Sequence, residues 1–418
     1  FSTAKKEIHK TLSLCNFFTR QIGFSFIDNP PSTAFGRLRS YIWFTISATL
    51  LFLKLSAEIN YVTLKLIKSS SVVDFVASLH IVGYDTMSFG KLLTIWYKRN
   101  EFRQLVKELA DIWPISDDDK EEINIKRSRT SSLRIAQIYY AFWNVLGVWL
   151  YNLTPIIIFV YHKLQGEAAD LGFIWHMAYP FDKTKPIYHE IVFIFEAYRL
   201  LGHEIVLFFY FFLGVISVCS MLGSDILFMT MANHISLLLR LLQLRIRRLG
   251  STTISSTTNA QQVHDTYHKI ISAVKTHQRL ITYGNDLESA FSLVNLINVL
   301  LSSVDICCVV FNILLDPWLA MSNKFFLGAA LTQVGILCWY ANEIYTSSSG
   351  IADAVYESSW YMEDIRCRRA LLIMMQRSQK PLYFTALKFH SITMSTYSSI
   401  LTSSYSYFTL LYTTYRRD

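Results

Sequence analysis

The run AFSLVNLINVLLSSVDICCVVFNILLDPW, from Ala290 to Trp318, decides the fold class. It contains no Lys or Arg, and its only charged side chains are Asp305 and Asp316. A helix rises about 1.5 Å per residue, so roughly 20 residues cross the ~30 Å hydrocarbon layer of a bilayer. Lipid offers no hydrogen-bond partner to an open strand, and a barrel would need short alternating segments. The run therefore predicts a transmembrane α-helix.

Six further apolar stretches are long enough to cross a bilayer. Together the seven candidate spans are residues 40–59, 71–96, 135–161, 190–222, 290–318, 325–345 and 390–413. The composition agrees, because 52% of the 418 residues are hydrophobic, 17% are charged and the mean hydropathy is +0.29. Soluble domains carry about 25% charged residues. The sequence predicts an all-α fold, a polytopic membrane bundle of seven transmembrane helices.

The basic residues give this bundle an orientation. The segments outside the spans, taken alternately from the N-terminus, hold 28 Lys and Arg in one set and 8 in the other. The remaining three, Lys54, Lys91 and Arg199, lie within spans. Cytosolic segments of membrane proteins carry an excess of Lys and Arg. We therefore expect a cytosolic N-terminus and, after seven crossings, an extracellular C-terminus.

The sequence lacks the motifs that are typical of nucleic-acid-binding proteins, metal sites and several classes of enzyme. The net charge of +8 does not indicate nucleic-acid binding, because no basic, aromatic-interleaved patch lies outside the membrane flanks. The six cysteines have no metal-ligand spacing and fall in predicted spans or cytosolic segments. There is no nucleophile elbow, no phosphate-binding glycine loop and no metal-spaced set of His and carboxylates. We expect a protein that is not an enzyme and that uses no cofactor or metal.

The fourth candidate span carries a polar cluster near its start. The cluster consists of Glu196, Arg199, His203 and Glu204. Lipid alone would not hold these charges, so either the helix projects beyond the membrane or the groups face a polar cavity. Asp74 and Asp305 are isolated carboxylates in spans two and five. A hydroxyl or water would satisfy either of them, and we assign them no role.

Two cytosolic segments have helical patterns of their own. In the segment Asp225 to Arg248, leucines recur at helical spacing before a Ser/Thr-rich linker, and the segment Glu343 to Arg377 is amphipathic. Such helices either build an assembly interface or lie on lipid headgroups.

The predicted organisation is a cytosolic N-terminal segment (1–39), spans one to four as a ligand-binding bundle (40–222), cytosolic helices and linker (223–289), spans five and six (290–345), a cytosolic anchor helix (346–389), and a pore-lining last span with an extracellular tail (390–418).

The last span is rich in hydroxyl groups. Between Ser391 and Thr414, 13 of 24 residues are Ser or Thr. One helix face carries Ser395, Ser399, Thr402, Ser406, Thr409 and Thr413. Uncharged dipoles can replace the hydration of an ion without holding it, although small polar residues also let helices pack closely. Because one helix cannot enclose a pathway, a pore would need several chains around an axis.

Three motifs carry a resemblance to a known family. CWYANEIYTSSSGIADAVYESSWY, from Cys338 to Tyr361, and SYSYFTLL, from Ser404 to Leu411, resemble the C-terminal signatures of insect odorant receptors. AYPFD, from Ala178 to Asp182, resembles the second extracellular loop of that family. The resemblance covers the whole topology, with its motifs mainly in the last third. It implies a tetrameric, non-selective cation channel with a pore built from the last helix of each subunit and a cytosolic helical anchor.

The same resemblance implies the partners. The segment between spans four and five is shorter than in the common co-receptor, Orco, and the chain ends differently. The chain therefore resembles a variable tuning subunit that assembles with Orco in a heterotetramer. This implies the plasma membrane of olfactory sensory neurons as the location, with membrane lipid, a small volatile organic ligand and permeating cations as further partners and no nucleic acid.

The resemblance also places the pore narrowing at Leu410 and Thr414, with Thr413 between them. The predicted pore and gate residues are Ser403, Ser406, Leu410, Thr413 and Thr414. The family more often has an aliphatic residue where Thr414 stands, so a single-residue gate does not follow for this chain. By its position in register with the hydroxyl face, Leu410 is either a hydrophobic constriction that gates by dewetting or a lipid-facing packing residue.

The ligand-binding positions implied by the resemblance lie in the outer halves of spans two, three, four and six. They are Ile81, Tyr84, Asn144, Gly147 and Tyr151, with Tyr198, His203 and Leu331 as additions. Apolar walls would supply most of the binding energy, and Asn144 or Tyr84 would orient a small volatile. The alternative is that these side chains are ordinary bundle core. A histidine such as His203 is more often a hydrogen-bonded structural residue than a proton sensor.

A G-protein-coupled receptor is the main alternative, since it also has seven helices and binds a ligand. It predicts a cytosolic C-terminus and an outer disulfide, whereas the charges here predict an extracellular C-terminus and the cysteines do not lie outside. A secondary transporter would show inverted repeats and broken helices, for which Pro155 near one end of a span is weak support.

Overall fold

A computed structural model describes residues 2–26, 33–68, 72–114, 119–166, 204–249, 260–315 and 321–415. Within these ranges helices dominate. They are α1 (Ser2–Thr11), α2 (Ser13–Gln21), α3 (Ala34–Lys68), α4 (Val72–Tyr97), α5 (Arg99–Ile112), α6 (Lys120–Leu164), α7 (Glu204–Arg247), α8 (Ala260–Leu315), α9 (Met321–Glu357), α10 (Ile365–Ser378) and α11 (Met394–Tyr415).

Seven of these helices, α3, α4, α6, α7, α8, α9 and α11, follow the predicted spans in order. In the part of the chain that the structure describes, four segments are long and apolar enough to cross a membrane on length and composition alone: Ala34–Leu64, Gly214–Arg247, His264–Leu315 and Ser322–Glu357. α11 does not meet that criterion, because its Ser, Thr and Tyr residues lower its hydropathy. The predicted all-α helical bundle is confirmed.

Three spans continue unbroken through the predicted boundaries with cytosolic segments. α7 runs past residue 223, α8 begins well before residue 290, and α9 extends beyond residue 345. The 56 residues of α8 correspond to about 84 Å of helix, far more than the ~30 Å hydrocarbon layer. The helical patterns noted in the cytosolic segments therefore belong largely to extensions of the spans.

α7 is the central helix of the bundle. In an apolar stretch of 18 residues of this helix, 94% of the residues are buried, and the helix packs against α2, α4, α6, α8 and α9. A helix that is apolar on all sides is usually surrounded by other helices. Its fully buried side chains include Met221, Leu222, Ile226, Leu227, Met229, Met231 and Ile235.

The N-terminal helices α1 and α2 are part of this packing. The Cys15 thiol donates to the carbonyl of Gly223 at 3.3 Å, and the Thr11 hydroxyl lies 2.8 Å from His234 Nε2. A Cβ at position 223 would lie 2.8 Å from Thr19 Cγ2. Glycine at position 223 therefore permits α2 to approach the backbone of α7.

A short hairpin separates α10 from α11. Strands β1 (Thr385–Ala386) and β2 (His390–Ser391) pair antiparallel, with Thr385 opposite Ser391. Leu387 and Lys388 form the turn with φ angles of 47° and 63°. The sequence does not predict this hairpin, because two-residue strands show no periodicity and the turn lacks the usual Gly, Asn or Asp.

Candidate functional site

A small cavity lies between α4, α6, α8 and α9, and both Tyr84 and Asn144 line it. Its volume is about 10 Å³, which is room for roughly one water molecule. The lining residues are Tyr84, Met87, Asn144, Ser302, Asp305, Phe326, Ala329, Ala330 and Gln333. Two of the eight predicted ligand positions thus come together at one point in the fold.

The polar atoms at this cavity are incompletely satisfied. The Tyr84 hydroxyl and Asp305 Oδ1 are buried and have no hydrogen-bond partner among the described residues. Asn144 Nδ2 donates to the carbonyl of Tyr140 at 3.0 Å. Buried polar groups in proteins are nearly always hydrogen-bonded, so unpartnered groups around an aromatic wall are suited to orient a ligand.

The aromatic wall centres on Phe326 at the start of α9. The Tyr84 and His80 rings each lie 5.5 Å from the Phe326 ring in edge-to-face geometry. Gln333, which also lines the cavity, donates from Nε2 to Asn298 Oδ1 at 3.3 Å. An apolar wall with a few convergent polar groups is the usual composition of a small-molecule site.

The other predicted ligand positions do not line this cavity. Ile81 is buried on α4 about one turn from Tyr84, and Leu331 is half-buried on α9 beside Ala330. A Cβ at Gly147 would lie 3.8 Å from the Phe325 carbonyl, so α6 and α9 pass closely there. The side chain of Tyr151, and the whole of Tyr198 and His203, lie outside the described residues, as do the AYPFD motif and the side chains of the Glu196, Arg199, His203 and Glu204 cluster.

The sequence does not predict that Met87, Ser302, Asp305, Phe326 and Gln333 line this cavity. Asp305 was visible as an isolated carboxylate in an apolar span, which is a functional signal. It lies so close to α4 that a Cβ at Gly83 would be 1.9 Å from its Oδ1. The other four lining residues show no sequence pattern that marks them as part of a site, and only the packing of the helices brings them together.

A buried network of ion pairs joins the helices beside the cavity. Lys91 Nζ lies 2.8 Å from both carboxylate oxygens of Asp225, and the Tyr140 hydroxyl donates to the same carboxylate at 2.5 Å. Lys54 pairs with Asp85 at 2.6 Å. The Tyr140 carbonyl also accepts a hydrogen bond from Asn144, which lines the cavity. Tyr140 therefore connects the cavity to the ion pair between Lys91 of α4 and Asp225 of α7.

The predicted pore helix α11 has one buried and one exposed face. Thr396, Ile400 and Ser404 are buried, and the Ser404 hydroxyl donates to the Ser303 carbonyl of α8 at 3.0 Å. Farther along, Phe408 and Leu411 pack against the buried group Val76, Cys308 and Phe311. Because Ser303 adjoins the cavity-lining Ser302, α8 lies between the cavity and the pore helix.

The exposed face of α11 contains all five predicted pore and gate residues. Ser395, Ser399, Thr402, Ser403, Ser406, Leu410, Thr413 and Thr414 are exposed in the single chain, and Thr409 is half-buried. Hydroxyl groups of this face donate to carbonyls of the preceding turn, for example Thr402 to Ser398 at 2.9 Å and Ser406 to Thr402 at 3.0 Å. Their oxygen lone pairs are therefore left to face outward. Leu410 is 65% exposed on the same side.

The cytosolic ends of the bundle are held by ion pairs between helices. Glu343 accepts from Arg129 at 2.7 Å and from Arg240 at 2.9 Å. In the basic run after α7, Arg248 pairs with Asp119 and Glu121, and its hydrogen bond holds the pKa of Asp119 below the usual value. The basic run thus binds carboxylates of this chain, which connects the inner ends of α6, α7 and α9.

Comparison with known proteins gives consistent matches. The family profile described as 7tm Odorant receptor matches residues 71–405, more than half of the chain. Odorant receptor 85c of Drosophila melanogaster is 27% identical over 349 residues, which covers 82% of this chain and 83% of the relative. Putative odorant receptor 85d of the same species is 24% identical over 417 residues, covering 98% and 95%.

A solved structure has the same fold. The insect olfactory receptor OR5 from Machilis hrabei, in complex with eugenol, superposes with a TM-score of 0.77 at 15% sequence identity. The match covers 98% of this chain and 99% of that chain. The helical bundle described above is therefore shared over the full length of both proteins.

Proposed function

The chain belongs to the 7tm odorant receptor family, and from this premise we propose that it is the odorant-binding subunit of a heteromeric, ligand-gated cation channel. It is a multi-pass membrane receptor and not an enzyme, and a receptor that signals through a G protein is not favoured. The observation that carries the proposal is that one helix, α8, contacts both the small cavity and the hydroxyl-rich helix α11.

In this proposal a small volatile binds between α4, α6, α8 and α9. Phe326, Met87 and the two alanines of α9 supply apolar contact, while Tyr84, Asn144 and Asp305 supply hydrogen bonds. The volume of about 10 Å³ is too small for an odorant, since ligand pockets measure about 300 Å³ or more. Binding therefore requires the surrounding helices to separate, so the ligand favours an expanded state of the bundle.

Expansion of the cavity would be coupled to α11 through α8. Ser302 and Asp305 line the cavity, and the carbonyl of Ser303 accepts from Ser404 of α11. A movement of α8 away from α4 would thus displace the pore helix. The buried face of α11 supports this coupling, because its Phe408 and Leu411 pack against Cys308 and Phe311 of α8.

The exposed hydroxyl face of α11 would line the pathway for cations. Its hydroxyl protons are directed to the helix backbone, so oxygen lone pairs are available to replace part of the hydration of a cation. Leu410, with Thr413 and Thr414 above it, would form the constriction. The described residues of the single chain leave this face exposed, which supports assembly around an axis.

The partners follow from the family. We propose assembly with the co-receptor Orco in a heterotetramer, in the plasma membrane of olfactory sensory neurons. The cytosolic ends of α7, α8 and α9, together with α10, would form the contacts between subunits.

The experiment that tests this function is voltage clamp of oocytes that express the chain with the co-receptor. A panel of volatiles is applied, beginning with eugenol because the related OR5 receptor was solved with it. We expect a non-selective inward current that persists when G-protein signalling is blocked with GDPβS. Loss of the current under that block would refute direct gating.

A substitution in the cavity tests the binding site in the same assay. Tyr84→Phe removes only the unpartnered hydroxyl, and we expect the half-maximal concentration of hydrogen-bonding odorants to rise about 2- to 10-fold, as for loss of one hydrogen bond. Tyr161→Phe, at an exposed tyrosine near the end of α6, is the matched control and should change nothing. Equal dose responses for Tyr84→Phe and the parent would place the site elsewhere.

A further inference from the structure

A large cleft opens between the N-terminal helices and the first half of α6. Its volume is about 960 Å³, at the upper end of the range of about 300 to 1,000 Å³ for ligand pockets. It shares no lining residue with the small cavity. The lining residues are Glu7, Lys10, Thr11, Ser13, Leu14, Phe17, Trp113, Ile123, Lys126, Arg127, Thr130, Ser131, Leu133, Arg134, Gln137 and Ile138.

The cleft is strongly basic. Among the described residues that line it, Lys10, Lys126, Arg127 and Arg134 are basic and only Glu7 is acidic. That carboxylate accepts a hydrogen bond from Trp113 Nε1 at 2.8 Å. Arg127 and Arg134 are exposed and seven residues apart on α6, so they present their charges on the same helix face. An anion is therefore the complementary occupant.

The position of the cleft indicates where this anion comes from. Charged residues occur along α6 as far as Arg134, and the predicted apolar span begins at the next residue. The charge distribution places this end of α6 on the cytosolic side. The basic cleft therefore lies at the level of the headgroups of the inner leaflet, where anionic lipids concentrate.

An apolar groove continues from the cleft into the membrane. It has a volume of about 320 Å³ and shares Phe17 with the cleft. Ile138 in the cleft and Val145 and Trp149 in the groove are spaced by seven and four residues, so they follow one face of α6. The remaining groove residues are Phe18, Gln21, Val148, Gly214, Val215, Val218 and Cys219.

We propose that the cleft and groove together bind an anionic glycerophospholipid of the inner leaflet. Its phosphate and headgroup would lie among Lys10, Arg127 and Arg134, and an acyl chain would follow the groove past Phe17 and Val145. The lipid would join α1 and α2 to α6, in the space that the described residues leave open between these helices. This site rests on the orientation of the chain and is independent of odorant gating.

The headgroup contact is tested with the full-length chain purified as its complex with the co-receptor. Binding of dioleoyl phosphatidylserine and dioleoyl phosphatidylcholine is measured by native mass spectrometry in mixed micelles. We expect preference for phosphatidylserine, and about 30-fold weaker binding of it to Arg127→Gln/Arg134→Gln, as for two basic residues near an anionic surface. Lys5→Gln/Lys6→Gln is the matched control, since it removes two exposed charges from α1 that do not line the cleft.

The acyl contact needs a second variant. Val145→Trp fills the groove, and it should weaken binding of dioleoyl phosphatidylserine at least 10-fold while leaving the weaker binding of soluble glycerophosphoserine unchanged. Gel filtration and the melting temperature establish that each variant is folded. Equal binding of the two lipids, undiminished binding to the arginine variant, or soluble headgroup binding as tight as that of the lipid would each overturn the proposal.

Discussion

The buried pair between Lys91 and Asp225 gives the sharpest test of the bundle. Lys91 is fully buried, and its ammonium lies 2.8 Å from both oxygens of a carboxylate that also accepts from Tyr140. We consider Lys91→Met, Asp225→Asn and the double variant. Asparagine keeps the shape of the side chain and an oxygen for the Tyr140 hydroxyl, so the comparison isolates the charges.

The expected changes in the free energy of unfolding follow from the distance between the two charges. At 2.8 Å and an effective dielectric constant of about 20, two unit charges attract by roughly 6 kcal/mol. Desolvation of both groups cancels much of this, so the pair itself contributes little net stability. Removing one partner leaves an uncompensated buried charge, and each single variant should lower the free energy of unfolding by about 3 to 5 kcal/mol. The double variant should lose only about 1 to 2 kcal/mol, because no isolated charge remains.

Equilibrium unfolding by SDS in mixed micelles, followed by tryptophan fluorescence, measures these differences. The account requires the double variant to be more stable than either single variant, with a coupling free energy of several kcal/mol. Losses below about 1 kcal/mol for the single variants, or a double variant as unstable as the sum of both, would refute a buried, mutually dependent ion pair.

The remaining predictions concern the gate and the contact between α4 and α8. Leu410→Ser should raise the basal current of the channel in oocytes, because a hydroxyl wets a hydrophobic constriction; unchanged leak and dose response would assign Leu410 to packing. Gly83→Ala should destabilise the bundle by about 1 to 3 kcal/mol or more, since its Cβ would lie 1.9 Å from Asp305. Gly335→Ala is the control, because its Cβ would meet Tyr397 at an ordinary 3.7 Å, and equal thermal stability of the two alanine variants would contradict the predicted clash.

The spans could be predicted from the sequence because lipid leaves the backbone few choices. Hydropathy marks where a helix leaves the membrane and not where the helix ends. The sequence therefore did not reveal that α7, α8 and α9 continue without a break into the cytosol. An amphipathic extension keeps the same 3.6-residue period as the span it follows. Helix boundaries were therefore the least predictable part of the fold.

The site was predictable only in part. Lys91 was visible as a basic residue within a span, but its partner Asp225 is 134 positions away and had been assigned to a cytosolic segment. Pairings at that separation depend on how helices pack, and sequence spacing does not encode them. The same holds for Asp305, which received no role from the sequence and which the fold brings to the cavity beside Tyr84.

The central claim, that the exposed face of α11 lines a cation pathway, is tested most directly by cysteine accessibility. Ser406 is exposed and Ser404 is buried against α8, while the six native cysteines are buried. Oocytes expressing Ser406→Cys or Ser404→Cys with the co-receptor are treated with a positively charged thiosulfonate reagent during odorant application. We expect irreversible loss of current only for Ser406→Cys, faster when odorant is present. Conducting Ser406→Cys channels that the reagent leaves unchanged would contradict the account.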